Sequence, residues 1–166
     1  LHRPTDIASD PSGNIYIADE SNGRIRKVTP DGIITTISGG NVGDDQLATH
    51  ANLYNPADVH VTPLGDLYIA DNKHSRIRKV DANGIITTIA GTGQPGGTLN
   101  GQLALEGSFP YPRGITVDGA NTLYLSTLAS KIHTVDVHGI TGTVAGNGRA
   151  GFSGDGGQAT NANLNR

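Results

Sequence analysis

The chain has 166 residues, 24 of them glycine, with 35% hydrophobic and only 4% aromatic content, so it is long enough for one domain but offers few large side chains to fill it. A net charge of -3 and a pI near 6.0 give no general pull toward nucleic acid or anionic lipid. The chain contains no cysteine, which excludes disulfides and thiolate metal sites, and no apolar run approaches the roughly 20 residues of a membrane helix.

A pattern of an apolar residue, two variable residues and proline opens the chain at Leu1-His2-Arg3-Pro4. It recurs at Leu53-Tyr54-Asn55-Pro56 and at Phe109-Pro110-Tyr111-Pro112, and its first residue returns at Leu164. The spacings of 52, 56 and 55 residues define three repeats: 1–52, 53–108 and 109–163, with 164–166 starting the next register. Residues 14–39 and 66–91 are identical at 16 of 26 positions; residues 122–146 keep the apolar rhythm and lose several polar groups.

Each repeat predicts four short strands. The first is 6–9, 58–61 and 114–117; the second 15–18, 67–70 and 123–126; the third 24–28, 76–80 and 131–135; the fourth 33–37, 85–89 and 140–144. The runs are β-branched, four to six residues long and bounded by Gly, Pro, Asn and Asp, as in hairpin meanders. Alternation sets Ile7, Ser9, Ile15 and Ile17 on one face, opposite Ala8 and Tyr16. In the third strand Ile25 and Val28 stand three apart, which predicts a bulge. Long connections follow at 39–52, 91–108 and 146–163. Four antiparallel strands followed by a long return describe a propeller blade.

The segment "NPADVHVTPLGDLYIADNKHSRIRKVDANGIITTIAGTG" resembles an NHL repeat, and "AGNGRAGFSGDGGQATNANLNR" resembles the inter-blade segment of bacterial and teneurin-like NHL proteins. The resemblance implies an all-β, NHL-type propeller with three four-stranded blades, half of a six-bladed ring. It leaves activity open, because such propellers include adhesion modules, RNA-binding domains, kinase sensor domains and a few lyases. It also implies an extracellular or periplasmic setting.

A half-ring leaves an apolar sheet face uncovered at each end, and such faces mark association sites. The expected assembly is a homodimer closing one ring, the third blade of one copy against the first blade of the other. The expected function is a non-catalytic scaffold that binds a protein or small ligand at the channel mouth, with no cofactor, no nucleic acid and no membrane. The alternatives are a lyase- or hydrolase-type enzyme with a metal-assisted site at the channel, and an excised or engineered half-ring with no ligand.

The mouth residues precede or begin each inner strand: His2, Arg3, Asp6, Tyr54, Asp58, Tyr111 and Arg113, with His60 in the inner strand as a further candidate. Thr5 and Asn55 stand beside them. Asp19 with Arg24 and Asp71 with Arg76 recur and read as turn-pinning pairs. Gly91–Gly96 and Gly146–Gly151 fit G-x-G-x-x-G, but Pro95 and a second glycine-rich run replace the helix that a dinucleotide site requires. Gly154–Gly157 lacks the alternating oxygen ligands of a calcium loop and reads as a tight turn. The six histidines show no metal-ligand spacing, so no metal site is expected. With seven acidic to four basic residues in the first repeat, an RNA-binding face is not expected.

Overall fold

The computed structural model describes residues 1–40, 43–97 and 100–165. Arg166, the last residue of the returning "LNR" register, lies outside them, as do Asn41, Val42, Thr98 and Leu99 of the long connections.

The chain folds into three antiparallel sheets. Sheet 1 comprises β1 (Pro4–Ser9), β2 (Ile15–Asp19), β3 (Arg24–Val28) and β4 (Ile34–Ser38), in that order. Sheet 2 comprises β6 (Pro56–Val61), β7 (Leu67–Asp71), β8 (Arg76–Val80) and β9 (Ile85–Ala90), with a fifth strand, β5 (Gln46–Leu47), beside β9. Sheet 3 comprises β10 (Ile115–Val117), β11 (Leu123–Thr127), β12 (Lys131–Val135) and β13 (Thr141–Ala145). Among the described residues no α-helix forms, and no helix is long and apolar enough to cross a membrane.

Most strand limits fall within one or two residues of expectation. The bulge in the third strand is present in every sheet, as a register shift at Ile25/Arg26, Ile77/Arg78 and Ile132/His133. β1 and β6 start earlier than expected, at Pro4 and Pro56. A second register shift, at Pro4/Asp6 and Pro56/Asp58, lets each proline pair with the aspartate that ends the neighbouring strand. The sequence reading did not foresee β5. It comes from the connection out of sheet 1 and pairs Gln46 with Ile86 and Leu47 with Ile85, so the first repeat supplies an edge strand to the second sheet.

Hairpin chemistry explains the turns. The Asp10 carboxylate accepts the Asn14 N–H at 2.9 Å, and Asp118 accepts the Thr122 N–H at 2.9 Å, each closing the first turn of its sheet. Asp81 and Asp136 do the same for the last turn through Ile85 and Ile140, both at 2.8 Å.

The core lies between the sheets. Tyr16, Ala18 and Ile25 of sheet 1 pack against Val59, Leu67, Ile69 and Ile86 of sheet 2; Tyr68, Ala70 and Ile77 of sheet 2 pack against Ile115, Leu123 and Leu125 of sheet 3. Burying each large aliphatic chain contributes about 1.5–3 kcal/mol. The opposite face of sheet 1 has no neighbour. Ile7, Ile15 and Ile34 are 69%, 42% and 43% exposed, whereas Val59, Leu67 and Ile86 at the same positions of sheet 2 are 3%, 5% and 0% exposed.

Candidate functional site

Three corners of equivalent sequence lead into the inner strands β1, β6 and β10. At each corner the residue before proline takes a left-handed conformation: Arg3 (φ 50°), Asn55 (φ 53°) and Tyr111 (φ 49°). Such a conformation is unfavourable for a non-glycine residue, by about 1–3 kcal/mol, and persists only where the surroundings enforce it. Here a backbone hydrogen bond common to all three corners does so: the carbonyls of His2, Tyr54 and Pro110 accept from the N–H groups of Ser21 (3.1 Å), Lys73 (3.0 Å) and Leu128 (3.1 Å).

These three residues line one cavity of about 570 Å³. Two further sets of equivalent residues complete its wall. Thr5, Ala57 and Arg113 follow the prolines; Glu20, Asn72 and Leu128 follow the second strand of each sheet, and Lys73 stands beside them. Hydrogen bonds tie neighbouring repeats together around the rim. Asn55 Nδ2 donates to Glu20 Oε1 at 3.1 Å, Asn72 Nδ2 to the Pro112 carbonyl at 2.9 Å, and the Thr5 hydroxyl to the Pro56 carbonyl at 3.2 Å. The Lys73 ammonium sits 5.2 Å from the centre of the Tyr111 ring, and the Arg3 guanidinium is 3.9 Å from Glu20. Three cations and one carboxylate therefore border the cavity.

Of the eight mouth candidates, the structure brings Arg3, Tyr111 and Arg113 to this cavity. His2 and Tyr54 hold the corners instead. Their N–H groups donate to the buried carboxylates of Asp19 (2.6 Å) and Asp71 (2.8 Å), and the Tyr54 ring meets His74 edge-on. Asp6 and Asp58 staple successive inner strands: Asp6 accepts the Val59 N–H at 3.2 Å, and Asp58 accepts the Ile115 N–H at 2.5 Å. Burial and the adjoining Asp6 carboxyl push the Asp58 carboxyl up to about 7. His60 lies edge-on to Tyr68, on the face of sheet 2 turned toward sheet 3.

The turn pairs differ from expectation. Asp19 and Asp71 are fully buried, and their charged neighbours are Arg26 (3.8 Å) and Arg78 (3.4 Å), two residues beyond Arg24 and Arg76. Each carboxylate serves both the lead-in corner and the turn: one oxygen accepts the corner N–H, the other meets Asn22 Nδ2 or His74 Nδ1 at 2.9 Å, and the third-strand arginine that closes over them is the one nearer the sheet centre. In sheet 3 the corresponding residues are Thr127 and His133. His133 is buried against Phe109, and burial together with Lys131 lowers it to about 4, which keeps the ring neutral.

Glu20, Asn72 and Lys73 were missed in the sequence because they sit in turns. The available signal was their shared register, one or two residues after the second strand. Among the described residues no group of three or more His, Asp or Glu side chains could hold a metal ion.

Comparison with known proteins agrees with this architecture. Residues 1–28 match the family model of the NHL repeat, and residues 38–98 match that of the teneurin NHL domain; together they support an NHL-repeat family for the chain. Teneurin-m of Drosophila melanogaster is 36% identical over 99 residues, covering 54% of this chain, and the match takes in 4% of that protein. A crystal structure of a protein of unknown function from Bacteroides thetaiotaomicron superposes with a TM-score of 0.77 at 22% identity, over 99% of this chain and 40% of its own. A streptogramin B lyase superposes at 0.59 with 17% identity, over 84% of this chain and 39% of its own. At these identities the structures establish a shared propeller-like fold alone.

Proposed function

We propose that this NHL-repeat chain is a non-catalytic propeller scaffold, three blades that pair with a second copy into a six-bladed ring and bind a ligand at the channel mouth. The observation that supports it most is the trio Arg3, Asn55 and Tyr111. Three different side chains stand at one repeat position, each on a strained backbone, and all border a single cavity. A packing role would favour one recurring residue there; varied side chains on a fixed frame suit recognition. The exposed face of sheet 1 supports the pairing, because its counterparts in the other sheets are buried under a neighbour.

With Arg3, Lys73 and Arg113 against Glu20, the mouth suits an anionic group, a carboxylate or phosphate, beside the face of Tyr111. Two measurements test the reading. Light scattering on a sizing column is expected to give twice the 17.1 kDa chain mass; a monomer at all concentrations overturns the ring. Calorimetric titration with citrate and with inorganic phosphate is expected to give binding that Arg113→Ala and Lys73→Ala each weaken without loss of thermal stability. Equal binding by these variants overturns the mouth as the site.

A further inference from the structure

The third connection is built like the first two. In each, the glycine after the fourth strand donates to the carbonyl of an alanine: Gly39 to Ala48, Gly91 to Ala104 and Gly146 to Ala159, all at 2.9 Å. One step on, Thr92 donates to Gly107 and Asn147 to Ala162, both at 3.0 Å, as Gly40 does to Ala51. Residues 43–53, "GDDQLATHANL", align without a gap to 154–164, "GDGGQATNANL". The first connection uses this shape to lay Gln46-Leu47 along β9, and the second bridges Leu103 to Ile140 of sheet 3. The third holds Gly157-Gln158 in the corresponding place, exposed.

We propose that this third connection docks on sheet 1 of a second copy of the chain, with Gly157-Gln158 added beside β4 and Asp155 meeting Arg26. The proposal rests on the ring reading and specifies its junction.

Charge selects the acceptor. At the internal junction Asp44, the counterpart of Asp155, pairs with Arg78 of sheet 2. Asn100 stands there in the second connection, and it accepts from the Thr143 hydroxyl at 2.8 Å, next to His133 rather than an arginine. An acidic residue thus meets arginine and an amide meets the histidine site. Asp155 is acidic and exposed. Arg26, like Arg78, reaches a buried aspartate, but its Nε contacts the Thr35 carbonyl only at 3.4 Å, with no connection carboxylate beside it. Of the three sheets, sheet 2 already holds its acid and sheet 3 offers His133; sheet 1 offers an open arginine. The acceptor edge matches as well, since β4 is the last strand of sheet 1 where β9 of sheet 2 is covered by β5. Two such junctions related by a two-fold axis close the assembly.

The absence of native cysteine makes the register directly testable. Gln158 and Ile33 correspond to the facing pair Leu47 and Ile85. The full chain carrying Gln158→Cys and Ile33→Cys, air-oxidised, is expected to give a covalent dimer on a non-reducing gel. The shifted pair Gln158→Cys and Thr36→Cys is expected to stay uncrosslinked. Asp155→Lys is expected to weaken dimerisation about tenfold in sedimentation equilibrium, an effect that fades with added salt. A monomeric wild type overturns the ring reading itself. A dimeric wild type overturns this junction alone if the 33/158 pair fails to crosslink, crosslinks within one chain, or does no better than the shifted pair, or if Asp155→Lys has no effect.

Discussion

The repeats provide an internal control for burial at the third-strand isoleucine. Ile77 is fully buried between sheets 2 and 3, while its counterpart Ile132, on the open side of sheet 3, is only partly covered. Replacing Ile77 with alanine removes three carbons, about 2.4 kcal/mol of transfer free energy at ~0.8 per group. The unfilled space raises the total to about 3–4 kcal/mol. In the isolated chain Ile132→Ala is expected to cost about half as much, because water already reaches the side chain. Urea unfolding followed by circular dichroism, at several protein concentrations, measures both. If the ring forms, the cost of Ile132→Ala grows with concentration while that of Ile77→Ala stays nearly constant. Equal costs at the lowest concentration would refute the account of which faces are covered.

Gly91 adopts φ +98°, and a Cβ there would lie 2.3 Å from the Ser75 carbonyl, so Gly91→Ala is expected to cost about 2 kcal/mol or more in thermal or urea unfolding. The Asp58 carboxyl is raised to about 7, so it contributes stability that is complete below pH 3.8 and is lost as pH rises through 7. Asp6→Asn removes the neighbouring carboxyl, and the fall in melting temperature between pH 5 and 8 should flatten; an unchanged slope would count against the pairing. His133 is lowered to about 4, so its contribution is present above pH 6.5 and is lost on acidification toward 4, a limb that His133→Gln should reduce in the same melts.

The strands were legible because each is a β-branched run closed by turn residues, and because a repeat states its pattern three times. Ile7 and Ile15 read correctly as one face from alternation alone. β5 was not legible: Gln46 and Leu47 have no strand pattern of their own and pair only because β9 presents an edge. The mouth was partly legible. Arg3, Tyr111 and Arg113 could be found by register, but the left-handed turn at Arg3 and Tyr111 is held by hydrogen bonds from the far end of the second strand to the corner carbonyls, which periodicity does not reveal. Arg26 and Arg78 were passed over for Arg24 and Arg76, since sequence proximity to the aspartate favoured the nearer arginine while the geometry favours the farther one.

The fifth strand of sheet 2 also bears on how the chain is made. A ribosome releases Gln46 and Leu47 before Ile85 and Ile86, so the piece that seals the edge of sheet 2 is waiting when that edge arrives. β9 is covered as it forms and has little time to pair with a neighbouring nascent chain. The same order holds at sheet 3, where Leu103 is made before the Ile140 it bridges to. Order of synthesis thus guards the outer edges of sheets 2 and 3 against unwanted strand pairing.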